Sequence, residues 1–319
     1  MEYPRSVPRR FVQKLLTAVT LLRAGGRYAG DNAYFCIVNN AIDNYTINVR
    51  GRLVDLSSPQ VMGILNATPD SFFAGSRKQT EQEIADRANQ IIAEGGTMID
   101  VGAFSTRPGA AEVSEEEETE RLRRALAIVR REQPDAVVSV DTYRPVVAER
   151  CIEEFGADII NDVSEGGITG IVDTPIHERG DMFATVARLG VPYILMSVRA
   201  TMPEMLRHFA AEVQRLRDLG AKDIILDPGF GFGKTLDDNY AVMHDLAQLQ
   251  TLGLPVLAGV SRKSMVFRLV GGDPMTALNG TTALHALAIE RGASILRVHD
   301  VREAVETVKI TCKCMNPHV

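Results

Sequence analysis

The residues with the most chemical promise stand where short apolar runs give way to polar sequence. Residues 223–234, DIILDPGFGFGK, are the clearest case. Ile224, Ile225 and Leu226 form an apolar run rich in β-branched residues, long enough for a buried strand and too short for a buried helix. Asp227 and Pro228 end it, and Gly229, Gly231 and Gly233 then alternate with Phe230 and Phe232 before Lys234. Proline withholds a backbone donor and fixes φ, whereas glycine admits left-handed backbone and close approach of a ligand. A carboxylate at a strand end, on a stiff loop bearing aromatic rings, suits ligand binding. The plainer alternative is that Asp227 caps the next helix.

Comparable strand ends recur along the chain. Asn66 in NATPDSF, Gly102 ahead of STRPGA (105–110), Asp141 in SVDT, Asn161 in IND, Ser261-Arg262-Lys263, and Arg297-x-His299 each follow an apolar run. They divide by chemistry. Asp141, Asn161 and Asp227 are acceptors, or amide donor–acceptors, matched to an amino-pyrimidinone edge. Arg107, Arg262, Lys263, Arg297 and His299 carry or can acquire positive charge, and match a polyphosphate. Each has a dull explanation taken singly: Asp141 as a helix cap, Arg297 paired with Asp300, His299 as a satisfied, half-buried histidine. So many cations gathered at one place in an acidic chain resist that explanation.

Such a gathering needs elements that bring distant strand ends together. The sequence predicts strands over 61–65, 98–101, 137–140, 158–160, 192–196, 224–226, 256–260 and 294–298, alternating with amphipathic helices. Thr80 with Glu83, and Ser114 with Glu117, read as capping boxes. Ile84, Ala88, Ile91 and Ile92 form one buried helix face, and Leu122, Leu126 and Val129 the next. Pro145 suits a first helical turn, and Gly156 and Gly292 suit helix ends. Upstream, TINVRGRLVDL (46–56) alternates apolar and polar around Gly51, a hairpin pattern. Eight βα units after a hairpin predict an α/β fold, a (β/α)8 TIM barrel with its site at the C-terminal strand ends. An open doubly wound sheet is the runner-up, but no G-x-G-x-x-G follows the first strand.

A chain of 319 residues, 45% hydrophobic, can bury a large core as one α/β barrel or two smaller domains. Its 35 Lys and Arg against 41 Asp and Glu leave no basic face for nucleic acid. Cys36, Cys151, Cys312 and Cys314 are too few and too irregular for a disulfide framework. Cys312-x-Cys314 lacks partners at zinc spacing and reads as the start of a frayed tail over 313–319. No apolar run reaches the roughly 18–20 residues a membrane span requires. The barrel unit, 45–312, therefore reads as soluble and cytoplasmic.

Residues 1–44 differ in kind. Residues 3–30 contain no Asp or Glu but hold Arg5, Arg9, Arg10, Lys14, Arg23 and Arg27, with an apolar stripe through Phe11, Leu15, Leu16, Val19 and Leu22. That is the composition of an organellar transit peptide. A poorly ordered extension, or upstream sequence read from the wrong start, fits better, because nothing in it is patterned to pack on a domain.

Taken in order, NATPDSF, STRPGAAEVS, SVDT, IND, LDPGFGFGK, SRKS and RVHD resemble the dihydropteroate synthases of folate biosynthesis, over about residues 45–310. The resemblance implies an enzyme that condenses 6-hydroxymethyl-7,8-dihydropterin pyrophosphate with p-aminobenzoate, giving 7,8-dihydropteroate and pyrophosphate. It implies that Asp141, Asn161, Asp227 and Lys263 hold the pterin ring. Thr106, Arg297 and His299 would bind the diphosphate, and Asn66 would contact a Mg2+ on it. Arg107, Pro108, Phe232 and Ser261 would line the p-aminobenzoate side. Pyrophosphate leaves from an allylic-type carbon, so Lys263, Arg297, His299 and the Mg2+ at Asn66 would supply most of the catalysis. The amine is already nucleophilic and needs no strong base. A homodimer through the later helices is implied too.

Three departures accompany the resemblance. Phe73-Ala74-Gly75 stands where many members have an acidic residue followed by glycines, leaving Asp70 the one carboxylate in that loop. Met196-Ser197-Val198 replaces a common Met-His-Met, so an imidazole beside the pterin is lost. The stretch 166–181 is longer than usual and polar enough for a surface loop. Two other classes stay open. A pterin-binding barrel of corrinoid methyltransferases shares the carboxylate–Asn pattern but has no need of Ser261-Arg262-Lys263 with Arg297 and His299. A silent binding subunit would have lost Asn66, Arg297 or Lys263.

Overall fold

A computed structural model of the chain describes residues 45–67, 77–104, 113–165 and 181–317. Its first element is the expected hairpin: β1 (Thr46–Val49) pairs antiparallel with β2 (Arg52–Asp55), Val49 opposite Arg52. Arg50 and Gly51 take positive φ values of 51° and 77°, the backbone of a tight turn whose twist matches that of the strands. Alternation buries Ile47 and Val49 at 1% exposure each and leaves Leu53 at 74%.

Eight parallel strands then close into a barrel. In chain order the elements are β3 (Gln60–Asn66), α1 (Arg77–Ala93), β4 (Met98–Gly102), α2 (Glu115–Glu132), β5 (Val137–Asp141) and α3 (Pro145–Glu153). Next come β6 (Ile159–Asp162), α4 (Met182–Leu189), β7 (Tyr193–Met196), α5 (Met202–Leu219), β8 (Ile224–Asp227) and α6 (Leu236–Asp245). After a 3-10 turn follow β9 (Val256–Ala258), α7 (Ser264–Val270), α8 (Leu278–Glu290), β10 (Ala293–Val298) and α9 (Val301–Met315). β10 pairs with β3 to complete the circle.

The barrel interior is layered. Met62, Met98, Val137, Ile159, Ile194, Ile225, Leu257 and Ile295, one from each strand, cluster with Ile47, Val49 and Leu56. The hairpin thus closes the N-terminal end with an apolar plug. Side chains repeat with period two along a strand, so the next inward positions are Asp100, Ser139, Asn161, Asp227 and Arg297, with Ile64, Met196 and Gly259 from the other three strands. The interior changes from apolar to polar within that one step, on the way to the C-terminal mouth. Outside, the strands' other faces pack on the helices in a second apolar cluster that includes Ile84, Ala88, Ile91, Leu122, Leu126 and Val129.

Some local readings needed revision. Helix α1 begins at Arg77, so Thr80 lies inside it and is no cap. Ser114 does cap α2, accepting from Glu117 N at 3.2 Å, but the Glu117 side chain turns to Arg121. Pro145 opens α3 as expected. Helix α9 runs to Met315, past the expected tail boundary, and carries both Cys312 and Cys314. Among the described residues no helix is long and apolar enough to cross a membrane. Residues 1–44, the Phe73-Ala74-Gly75 departure, Thr106, Arg107, Pro108 and the long stretch 166–180 lie outside the described residues.

Candidate active site

The polar layer of the barrel is held together by one arginine. Arg297 Nε donates to Asp100 Oδ2 at 2.6 Å, and Nη2 to Asp141 Oδ2 at 2.7 Å. Asn161 Nδ2 donates to the same Asp100 oxygen at 3.1 Å. Asp141 and Asn161 face each other across β5 and β6. Asp100 Oδ1, Asp141 Oδ1 and Ser139 Oγ are buried with no hydrogen-bond partner among the described residues, which leaves acceptors for a ligand rich in N–H groups. Asp141 is no helix cap, and Arg297 does not pair with Asp300.

Asp100 was absent from the sequence-based candidates. Its signal is the carboxylate inside an otherwise apolar strand, MIDVG, two residues before the strand end. A charge so placed must find compensation, yet its partner is 197 positions away.

On the far side of the mouth, Asp227 Oδ1 accepts from Gly229 N at 2.8 Å. Gly229 has φ +64°, and a Cβ there would come within 2.3 Å of Ser197 O, so this turn admits no side chain. Helix α6 is capped by Thr235 instead, which leaves Asp227 for the site. Phe230 is fully buried and roots the loop. The Phe232 ring lies 4.6 Å from Lys263 Nζ, a cation–π contact. Lys263 also donates to Phe230 O. Lys234 Nζ reaches three carbonyls, Ser197 at 3.0 Å, Gly229 at 3.1 Å and Phe232 at 3.2 Å, and so ties the loop to the end of β7. Ser197 itself is fully buried.

Between these sides lies the β9–β10 seam. Ser261 Oγ accepts from His299 N at 3.1 Å and lies 3.1 Å from its Nδ1. Arg262, at φ 53°, turns outward: Nε and Nη2 grip Asp300 at 2.8 and 2.7 Å, and Nη1 meets Pro274 O at 2.7 Å. The expected set of phosphate cations therefore shrinks, since Arg262 is engaged elsewhere. Arg87 of α1 donates to Ile64 O at 3.2 Å and His299 O at 2.7 Å, bracing the closure of β10 on β3. Asn66 stands exposed at the end of β3, beside Gly102 of β4.

Burial governs the protonation of this site. It pushes Asp141 up to about 7; Arg297 opposes the rise, while Asp100, Glu118 and Asp162 add to it. Burial likewise raises Asp227, against the pull of Lys263. Lys263 and Lys234 both fall to about 8 for the same reason, each held up in part by Asp227. Burial pulls Arg297 down, but Asp100 and Asp141 outweigh it and raise the guanidinium. His299 drops to about 4 through burial and the nearby Arg297 charge. It is therefore a neutral donor–acceptor at neutral pH and adds no charge. Among the described residues no group of His, Cys, Asp and Glu is arranged to hold a metal unaided.

A family model described as pterin binding enzyme matches residues 62–299. The chain is 39% identical over 276 residues to the dihydropteroate synthase of Escherichia coli strain K12, covering 82% of this chain and 93% of that one. It is 36% identical over 275 residues to the dihydropteroate synthase of Streptococcus pyogenes serotype M18, covering 83% and 99%. Among solved structures, the Xanthomonas albilineans dihydropteroate synthase with 4-aminobenzoic acid superposes with a TM-score of 0.76 at 34% identity, covering 86% of this chain and 99% of that one. The Yersinia pestis enzyme with a pterine-sulfa conjugate gives 0.71 at 33% identity, with the same coverage. The family match opens in β3 at the apolar layer and ends at His299 in the mouth, so it takes in the polar layer and the loop residues around the mouth, and the chain belongs to the pterin binding enzymes, among the dihydropteroate synthases.

Proposed function

We propose that the barrel mouth condenses 6-hydroxymethyl-7,8-dihydropterin pyrophosphate with p-aminobenzoate. The observation that carries this reading is the acceptor set Asp141, Asn161 and Asp227 facing the cations Arg297 and Lys263 across one mouth. The amino-pyrimidinone edge of a pterin presents an amine and ring N–H groups, which such carboxylates accept as charge-assisted bonds. Lys263 would donate to the pterin ring, and Arg297, with Thr106 and the neutral His299, would receive the diphosphate. Arg107, Pro108, Phe232 and Ser261 would flank p-aminobenzoate. The amine nitrogen forms its bond to the pterin methylene carbon as the carbon–oxygen bond to diphosphate breaks. The amine then releases its proton, and pyrophosphate carries away the bonding electrons. Buried cations at the leaving oxygens act on charge that develops only in the transition state.

Mg2+ fits this site in one respect and not another. Asn66 offers a hard oxygen at the mouth, and Mg2+ is often bound through one or two protein ligands plus substrate phosphates. No described cluster would hold it without the diphosphate. Asn66 would accordingly orient a Mg2+ that arrives with the substrate and neutralises leaving charge.

Cys151, Cys312 and Cys314, unpaired among the described residues, suit a reducing compartment, and we place the protein in the cytoplasm. We extend the reading to a homodimer through α8 and α9, whose outer surface shows Leu287 and Ile310 at 37% and 66% exposure. Size-exclusion chromatography of Ile310→Lys, expected to run as a monomer, tests that. Removal of 1–43 should leave the melting temperature and activity of the barrel unit unchanged. The central experiment incubates the purified protein with the pterin pyrophosphate and p-aminobenzoate, with and without Mg2+. Amine-dependent pyrophosphate release is expected; release without the amine, or none at all, refutes the reading.

A further inference from the structure

We infer that Asp100 is a positioning residue of this site, a buried carboxylate that decides which atoms of Arg297 and Asn161 face the substrate. The inference rests on the proposed pterin reading and names a residue that reading does not need for contact. Asp100 is 0% exposed at the centre of β4, two positions below Gly102. Its Oδ2 receives both Arg297 Nε and Asn161 Nδ2.

An ionised carboxylate has no proton to give. Facing Asp100, Asn161 must therefore turn its NH2 downward and present its carbonyl oxygen to the mouth. The amide, which could act as donor or acceptor, is thereby made an acceptor. Together with Asp227 and the ionised form of Asp141 it completes a surface that takes donors. Arg297 is constrained by the same atom. With Nε on Asp100 and Nη2 on Asp141, the guanidinium plane is fixed along two directions. Nη1 donates to no group among the described residues, and that edge is left for a phosphate oxygen. Without Asp100 the Arg297 side chain would pivot on Asp141 alone. Asn161 would also lose the partner that settles its orientation. A substrate-contacting set would remain, but two of its members would have to be ordered by the ligand, at the expense of affinity.

Asp100 also acts on Asp141 through space. The groups facing Asp141 are Asp100 from β4, Glu118 from α2, Asp162 from β6 and Arg297 from β10, with Lys263 across the mouth. Removing one of the three like charges makes the Asp141 carboxyl easier to ionise.

The test compares Asp100→Asn with the parent, with circular dichroism as the folding control; Asp100→Ser, smaller and also uncharged, is read the same way where the amide does not fold. The KM for the pterin pyrophosphate should rise about tenfold or more, as expected when a charged hydrogen bond that orders two ligand groups is lost. The KM for p-aminobenzoate should stay close to the parent's. In the ligand-free protein, the Asp141 carboxyl, followed by carbon NMR and assigned through Asp141→Asn, should titrate about one pH unit lower. A purely structural Asp100 would lower stability without separating the two KM values. A parent that turns over, with a folded variant showing unchanged KM and an unmoved Asp141, overturns the inference alone. A parent that binds no pterin refutes the proposed function and takes this inference with it.

Discussion

Asp227→Asn preserves the size of the side chain and removes one acceptor, and the structure determines which one. Gly229 N already holds Oδ1 at 2.8 Å, and the turn that presents it has no latitude, since any Cβ at Gly229 would strike Ser197 O. The asparagine oxygen therefore stays on Gly229, and its NH2 takes the place of Oδ2. That NH2 meets the pterin N–H groups donor to donor. One buried unsatisfied donor costs about 1–3 kcal/mol, roughly a five- to hundredfold loss in affinity. A second effect adds to it. Burial already lowers Lys263 to about 8, and Asp227 is the charge that most opposes this. In the variant the lysine gives up its proton at lower pH, so the loss of affinity should widen as pH rises from 7 to 8. Stability should not suffer, because burial makes the charged carboxylate unfavourable in the first place. Free pterin is titrated by calorimetry at both pH values, beside thermal melts followed by circular dichroism. A folded variant that binds pterin as tightly as the parent would sink both the contact and the pterin assignment.

Arg297→Lys should weaken binding of the pterin pyrophosphate about tenfold, because an ammonium cannot hold Asp100 and Asp141 and still offer a directed donor to the phosphate, while free pterin binds nearly as before by the same titration. Arg297→Ala goes further: Asp100 and Asp141 lose their shared counter-charge, and the fold should lose about 3–5 kcal/mol by urea denaturation. Ile47→Ala opens a cavity in the plug and should cost about 2–4 kcal/mol, with pterin affinity unchanged because the plug closes the opposite end of the barrel. His285, buried in α8 at 2% exposure and held down to about 4 by burial, must stay neutral in the fold. Its unfolded value of 6.5 is higher, so its contribution is complete above 6.5 and is lost as pH falls from there toward 4. In His285→Leu the urea midpoint should lose that part of its pH dependence; an identical slope in parent and variant would contradict this.

Much of the architecture was legible because its determinants are local. Strand alternation in TINVRGRLVDL needs only period two and a turn that accepts positive φ at Gly51. Asp141, Asn161 and Asp227 announce themselves by following apolar runs, since a polar residue at the close of a buried strand faces the barrel mouth. Where two local signals competed, the sequence was a poorer guide: Thr80 resembles a cap, but the helix begins at Arg77. What no local pattern determines is the pairing of charges across the closed barrel. Asp300 follows Arg297 closely in sequence, and the two were candidates to pair. Yet 297 and 299 point inward while Asp300 opens the outer helix and meets Arg262, itself turned outward at positive φ. Arg297 is left to the two inward carboxylates, Asp100 from β4 and Asp141 from β5. Their neighbourhood exists only when β10 closes against β3. The amino-acid sequence by itself set which strand ends carry polar and charged residues; closure of the barrel decided which charges meet, which histidine stays neutral, and which carboxylate Arg297 and Asn161 share, because burial and Coulomb interaction depend on distances that the chain order does not contain.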